Sequence, residues 1–108
     1  VVKTVTQAGT GSERPTAGKQ VFVHYTGRFY EGSREVFDSS VKRGKPFSFA
    51  LGQGSVIRGW DIGVATMTVG EKATFVLKPD YAYGQAGAGR AIPPNSTLEF
   101  DVELLRFE

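Results

Sequence analysis

The sequence predicts an α+β domain, a five-stranded, mainly antiparallel sheet with one short helix lying across it. Three observations carry that expectation. Apolar and polar residues alternate along several short segments, the period of strands that face a core on one side. A single segment carries the helical period instead. Glycines and prolines, Pro15, Gly18, Gly44 and Pro46 among them, fall between the runs as turn residues should.

Val1 to Thr6 alternates and reads as the first strand. In the second, Val21, Val23 and Tyr25 alternate with Phe22, His24 and Thr26, so both faces carry apolar groups. Phe47 to Leu51 reads as the third. Between the second and third, Asp38 precedes Ser39-Ser40, and by spacing alone it reads as an Asx-turn residue.

The helical segment follows. Ile57, Trp60, Val64 and Met67 fall on one stripe, with Ser55 placed to cap the N-terminus. Gly59 and Gly63 would each cost such a helix about 1 kcal/mol relative to Ala. Two of them four residues apart imply that the helix lies close against something flat, and a sheet is the natural partner. Gly70 then turns the chain into the strand Ala73 to Leu77.

The C-terminal strand has the clearest pattern. Leu98, Phe100, Val102 and Leu104 alternate with Glu99, Asp101 and Glu103. Leu105 and Phe107 switch the apolar side, so a bulge or the chain end is expected there. Before it, Tyr81 to Pro94 holds Gly84, Gly87, Gly89 and the pair Pro93-Pro94. A loop this long in a small domain is functional or mobile.

The 108 residues make one domain, residues 1–108, long enough for an ordinary core. The chain starts at Val1 rather than Met, so a domain excised from a longer chain is the expectation. Hydrophobic residues at 40% and aromatics at 12% exclude a disordered tail. With no Cys, disulfide scaffolds, thiolate nucleophiles and Cys-based zinc sites are excluded. His24 is the single histidine, which removes any His-pair site, and neither metal nor cofactor is expected.

Thirteen basic against eleven acidic residues leave a net charge of +2, too small a footprint for nucleic acid. Lys42, Arg43 and Lys45 form the one basic cluster and read as a solvated loop. No apolar run approaches the roughly 20 residues of a membrane span. A cytoplasmic, monomeric domain is the expectation.

Conventional catalytic sets are missing. A Ser-His-Asp arrangement would need His24, which sits inside a strand pattern and reads as a hydrogen-bonded strand histidine. Gly52, Gly54 and Gly59 fit neither phosphate-loop spacing. Asn95-Ser96-Thr97 matches a glycosylation triplet, which matters only in secreted chains. What remains is a supply of aromatics near loops: Tyr25, Phe37, Phe47, Trp60, Tyr81, Tyr83 and Phe100. They read either as core or as the walls of an apolar pocket with a few polar atoms at its rim.

Five segments point to a family. VFVHYTG (21–27), FDSS (37–40), KPFSFALGQGSVIRGWD (45–61), PDYAYG (79–84) and IPPNSTLEFDVELL (92–105) closely resemble the FKBP-type peptidyl-prolyl isomerases, which also bind immunosuppressive macrolides. The resemblance runs through nearly the whole chain, in order and in register. It implies a curved antiparallel sheet wrapped around the short helix, with the site between them. It also implies proline-containing peptides and proteins as substrates, macrolides of the rapamycin type as ligands, and catalysis without a cofactor.

Residue by residue, the resemblance makes Trp60 the floor beneath the substrate's proline ring. Tyr25, Phe47, Val56, Ile57 and Phe100 fall on the apolar walls, and Phe37 and Asp38 on the FD pair with its carboxylate at the pocket edge. Tyr83 matches a hydroxyl that donates to a bound carbonyl, and the backbone N–H of Ile57 a second donor. Arg43 lies where the family often has a basic partner for Asp38 and Tyr25. Ala88 and Ile92 are carried over as ligand contacts.

Three places depart from the family pattern. Ala88 and Ala91 stand where some relatives have bulkier side chains, Ser55 replaces an acidic residue common before the helix, and the stretch from Glu31 to Val36 is about one residue longer than in the smallest members. These differences fall on the rim, which sets substrate preference. A rival function is a protein-docking module of a larger co-chaperone, without catalysis.

Overall fold

The computed structural model describes residues 1–89 and 91–108. Among these residues six strands form one sheet: β1 (Val2–Gln7), β2 (Gln20–Phe29), β3 (Val36–Ser39), β4 (Phe47–Ala50), β5 (Lys72–Leu77) and β6 (Leu98–Phe107). The order is β1-β5-β6-β2-β3, with β4 also on β2, and every pairing is antiparallel. A one-turn helix α1 (Ser40–Arg43) and the main helix α2 (Arg58–Val64) complete the α+β architecture expected from the pattern.

The strand that the sequence does not announce is β3. Its four residues are too few to show a period, and Asp38 looks like a turn former. Asp38 is not in an Asx turn: it pairs with Gly27 across the β2–β3 ladder. β2 therefore divides one edge between two short partners, β4 along Gln20–Val23 and β3 along Thr26–Arg28.

The gap between those partners leaves Tyr25 without a strand neighbour on that edge. The Ser40 hydroxyl fills it, accepting from the Tyr25 N–H at 2.7 Å and donating to the Tyr25 carbonyl at 3.3 Å. Ser40 is fully buried, so it supplies the partners that a buried backbone group needs. His24 Nδ1 lies 2.9 Å from the same hydroxyl, which makes it the hydrogen-bonded strand histidine that its position implies.

The switch of apolar side late in β6 is a bulge. Phe22 pairs with Arg106 and Val23 with Leu104, so Leu105 is the extra residue.

The helix begins later than the sequence implies. Ile57 is its N-cap, without a side-chain cap, and Ser55 takes no such part. Asp61 instead gathers the preceding loop, accepting from the Gly52 and Gly54 N–H groups at 2.9 and 3.1 Å. Met67 lies past the helix end in turns closed by Thr66 N–H to Gly63 and Met67 N–H to Val64, yet it is wholly buried.

The two helix glycines do what their cost implies. A Cβ at Gly59 would lie 2.5 Å from Leu77, and one at Gly63 2.8 Å from Phe75. The helix backbone thus lies directly on β5. Around this contact Val21, Val23, Val64, Leu77, Leu98 and Leu104 are excluded from water, each worth roughly 1.5–3 kcal/mol of apolar burial. Among the described residues no helix is long and apolar enough to cross a membrane.

Candidate functional site

Where α2 meets the sheet a cavity of about 190 Å³ opens, lined by Tyr25, Phe37, Asp38, Phe47, Ser55, Val56, Ile57, Trp60, Tyr83 and Phe100. A larger depression, about 320 Å³, crosses the opposite sheet face past Thr6, His24, Lys72, Thr74, Asp101 and Glu103. Its walls mix hydroxyls and charges with aliphatic groups, whereas the smaller cavity is aromatic and enclosed on more sides. The smaller one has the build of a ligand site.

Trp60 forms the floor. Its indole meets Tyr25 at 4.7 Å between centroids and 79° between planes, and Phe100 at 5.3 Å and 88°. Phe47 stands at 5.9 Å and 77°. Edge-to-face contacts of this kind suit the ring quadrupoles and fix each ring through its neighbours. Trp60 is 6% exposed, and its Nε1–H has no hydrogen-bond partner among the described residues.

Phe37 enters through a bulge. Gly27 pairs with Asp38 and Arg28 with Val36, so Phe37 is the extra residue of β3. Its ring lies 5.2 Å from that of Phe29 and 5.7 Å from that of Phe100. Gly27 is what permits this meeting, because a Cβ there would stand 2.7 Å from the Phe100 ring and 2.9 Å from Phe37.

Asp38 is the charged wall. Its carboxylate accepts from the Tyr25 hydroxyl and from the Arg43 guanidinium, and Arg43 Nη2 lies 3.1 Å from the Tyr25 oxygen. Burial alone would push the Asp38 carboxyl up, but the hydrogen bonds from Tyr25 and Arg43 outweigh it and hold the group below the usual carboxylate range. Burial, then the bond to Asp38, pushes the Tyr25 phenol up. Tyr83 is raised by burial and by the nearby Asp38 charge. The site therefore holds one ionised carboxylate beside two neutral phenols at neutral pH.

Nine of the twelve site residues named from the sequence share this cavity. Arg43 reaches it through its bonds to Asp38 and Tyr25. Ala88 and Ile92 are not among the residues that line it: they pair with each other in an isolated bridge, at 2.9 and 3.2 Å, and Ile92 is buried in the core cluster that holds Tyr25, Trp60 and Phe100, with Ala88 packed against it. Tyr81 lies outside the lining, its ring 4.8 Å from the Arg58 guanidinium. Ser55 does line the cavity, a place that its neighbour Val56 foreshadows. Among the described residues no group of three or more His, Cys, Asp or Glu is placed to hold a metal.

The cavity thus lies between a short helix and an antiparallel sheet, and comparison with known families supplies the class. Residues 11–105 match the FKBP-type peptidyl-prolyl cis-trans isomerases, and the chain belongs to that family. It is 56% identical to peptidyl-prolyl cis-trans isomerase Fkbp12 of Drosophila melanogaster, over 93% of this chain and 91% of the relative. It is 54% identical to peptidyl-prolyl cis-trans isomerase FKBP4 of Mus musculus over its full length, and spans 23% of that relative. FK506-binding protein 59 of Drosophila melanogaster is 50% identical over 97% of this chain, which spans 24% of it.

Proposed function

We propose that this chain catalyses cis–trans rotation about Xaa-Pro peptide bonds, unaided by a cofactor, in the cavity floored by Trp60. The observation that carries the proposal is the cavity itself, an aromatic cradle with a single ionised wall, in a chain whose family membership spans residues 11–105.

Rotation about a peptide bond faces a barrier of about 18–20 kcal/mol because amide resonance must be broken. The cis and trans forms of an Xaa-Pro bond are nearly balanced, yet exchange takes roughly 10–100 s. No covalent bond is made or broken, so neither a nucleophile nor an obligatory acid–base pair is required. In the twisted transition state the nitrogen lone pair leaves the carbonyl and the amide becomes less dipolar. Water favours the planar, dipolar form, and an apolar cradle removes that preference. Each 1.36 kcal/mol gained in this way is roughly tenfold in rate.

In this scheme the proline ring sits on Trp60, walled by Tyr25, Phe47, Val56, Ile57 and Phe100. Phe37 closes the end beside Asp38. The Ile57 N–H and the Tyr83 hydroxyl donate to substrate carbonyls, while the carbonyl before the proline swings free. The Asp38 charge, fixed by Tyr25 and Arg43, acts on the rotating group without moving a proton. The cavity also takes macrolides of the rapamycin type, whose apolar ring would occupy the proline position. As part of the same proposal, the chain is one monomeric domain acting in the cytoplasm, readable by sedimentation and cell fractionation.

The rival reading is a docking module, in which the same aromatic cavity binds proline-containing segments without turnover. Exchange NMR on a peptide of the type Ala-Leu-Pro-Phe separates the two. Faster exchange at catalytic protein concentration supports the isomerase, and binding without acceleration supports the docking module.

A further inference from the structure

The edge strand β3, which brings Phe37 and Asp38 to the cavity, is weakly secured by its own ladder. It has four residues, ends the sheet, and makes three register pairs with β2 that include a bulge at Phe37 itself. The loop that enters it, residues 30–35, is held by different means. Its backbone is pinned by Tyr30 N–H to Thr97 and Phe29 N–H to Glu35, both 3.1 Å.

Arg34 supplies a third tie, from an unusual backbone. Its φ of 56° lies in the left-handed region, which side chains other than Asn and Asp seldom adopt. From there the guanidinium sits 5.7 Å from the Tyr30 ring centroid and donates from Nη2 to Glu99 Oε2 at 2.6 Å. Glu99 is 8% exposed and also accepts from Arg28 Nη1 at 2.7 Å. Arg28 continues to Asp101 at 2.6 Å, and Asp101 accepts from the Thr74 hydroxyl at 2.8 Å. A chain of polar contacts thus crosses β5, β6 and β2 and terminates on the loop three residues before Phe37.

Glu99 neighbours Phe100 in β6, and the ring of Phe100 is the wall against which Phe37 rests. The same strand therefore holds the loop through Glu99 on one face and receives Phe37 through Phe100 on the other. We propose that Arg34, through Glu99, is a positioning residue that sets where the β3 bulge places Phe37 and Asp38. Its role in catalysis rests on the isomerase proposal above, whereas its role in geometry does not.

The pair is well formed, with a charge-assisted bond to a nearly buried carboxylate. The Arg34 side chain is still 49% exposed, so salt reaches it and its effect is moderate. Arg34→Ala is expected to raise KM about two- to fivefold through Phe37 and, because Asp38 shifts with it, to lower kcat by a similar factor. Raising NaCl from low to about 1 M should bring the wild-type KM toward that of the variant and move the variant's less, the remaining response coming from the equally exposed Arg43–Asp38 pair. Arg34→Lys should restore part of the loss, and adding Arg34→Ala to Glu99→Gln should change KM far less than it does in wild type.

The amide signals of Phe37 and Asp38 in a ¹⁵N spectrum give a readout independent of activity. They should move in Arg34→Ala while those of β4 stay in place. If wild type shows no isomerase activity, the functional proposal falls and these amides alone decide the positioning role. Unmoved Phe37 and Asp38 amides overturn it, as does a variant with lower melting temperature but wild-type KM and salt response.

Discussion

Tyr25 meets the Trp60 indole edge-on with its ring, centroids 4.7 Å apart, and at the other end its hydroxyl donates to Asp38. A single side chain of β2 therefore joins the apolar floor, on α2, to the charged wall, on β3. The floor and wall thus share one side chain, Tyr25. Its backbone is fixed in turn by Ser40, which occupies the break between β3 and β4.

Trp60→Leu should lower kcat/KM at least about tenfold, a transition-state loss of roughly 1.4 kcal/mol or more, while the circular dichroism spectrum remains native. Leu keeps apolar volume at the floor but loses the flat ring surface. Trp60→Ala would add a cavity cost of about 3–5 kcal/mol and confuse stability with activity. Full activity in a folded Trp60→Leu variant would contradict the assignment of the floor.

The pH profile should be flat from about pH 5 to about pH 9, between the ordinary carboxylate and phenol ranges. Hydrogen bonds from Tyr25 and Arg43 overcome the upward push of burial and keep Asp38 ionised, and burial together with Asp38 keeps Tyr25 neutral. A carboxyl lowered in the folded state contributes stability above its unfolded value of about 3.9, lost as pH falls through the folded one. Asp101, where burial is outweighed by the bonds from Arg28 and Thr74, behaves the same way. Acid unfolding should thus begin below about pH 4. A limb in kcat/KM near neutral pH would point to a proton transfer that the mechanism does not contain.

Ser40→Ala should destabilise by about 1–3 kcal/mol, because the buried Tyr25 N–H loses its acceptor. Denaturant unfolding measures this directly. An unchanged midpoint would mean that the broken edge of β2 is satisfied in some other way.

Gly59→Ala should also destabilise, although Ala is the better helix former by about 1 kcal/mol. The new methyl would stand 2.5 Å from Leu77, itself fully buried, and overpacking of this kind costs about 1–3 kcal/mol. Thermal unfolding several degrees below wild type is the expected result. A rise in melting temperature would show that the helix does not lie against β5.

Elements whose period is set by burial are legible in the amino-acid order alone. The alternation from Leu98 to Leu104 is β6, and the paired glycines of α2 announce the flat surface beneath them. The apolar switch at Leu105 is a bulge. β3 is not legible in this way, because Val36–Ser39 are strand only by virtue of β2 beside them. Tertiary pairing there overrides the turn preference of Asp38. Ser55 reads as a cap because a hydroxyl before an apolar stripe satisfies free N–H groups locally. Asp61 ties the loop from inside the helix instead.

The site divides along the same line. Aromatic residues on regular elements can be placed by family motif, and they converge on one cavity. Ala88 and Ile92 pair with each other in an isolated bridge, a fact of local backbone geometry that composition does not encode. The contact of Arg34 with Glu99 joins positions 65 residues apart and has no local signature.

The most direct test is the cis-to-trans exchange rate of an Ala-Leu-Pro-Phe peptide with catalytic amounts of protein, titrated with rapamycin. Acceleration that disappears near one equivalent of rapamycin is the predicted result, and it would place catalysis in the Trp60 cavity. Rapamycin binding with no acceleration at any protein concentration would contradict the isomerase and leave a docking domain.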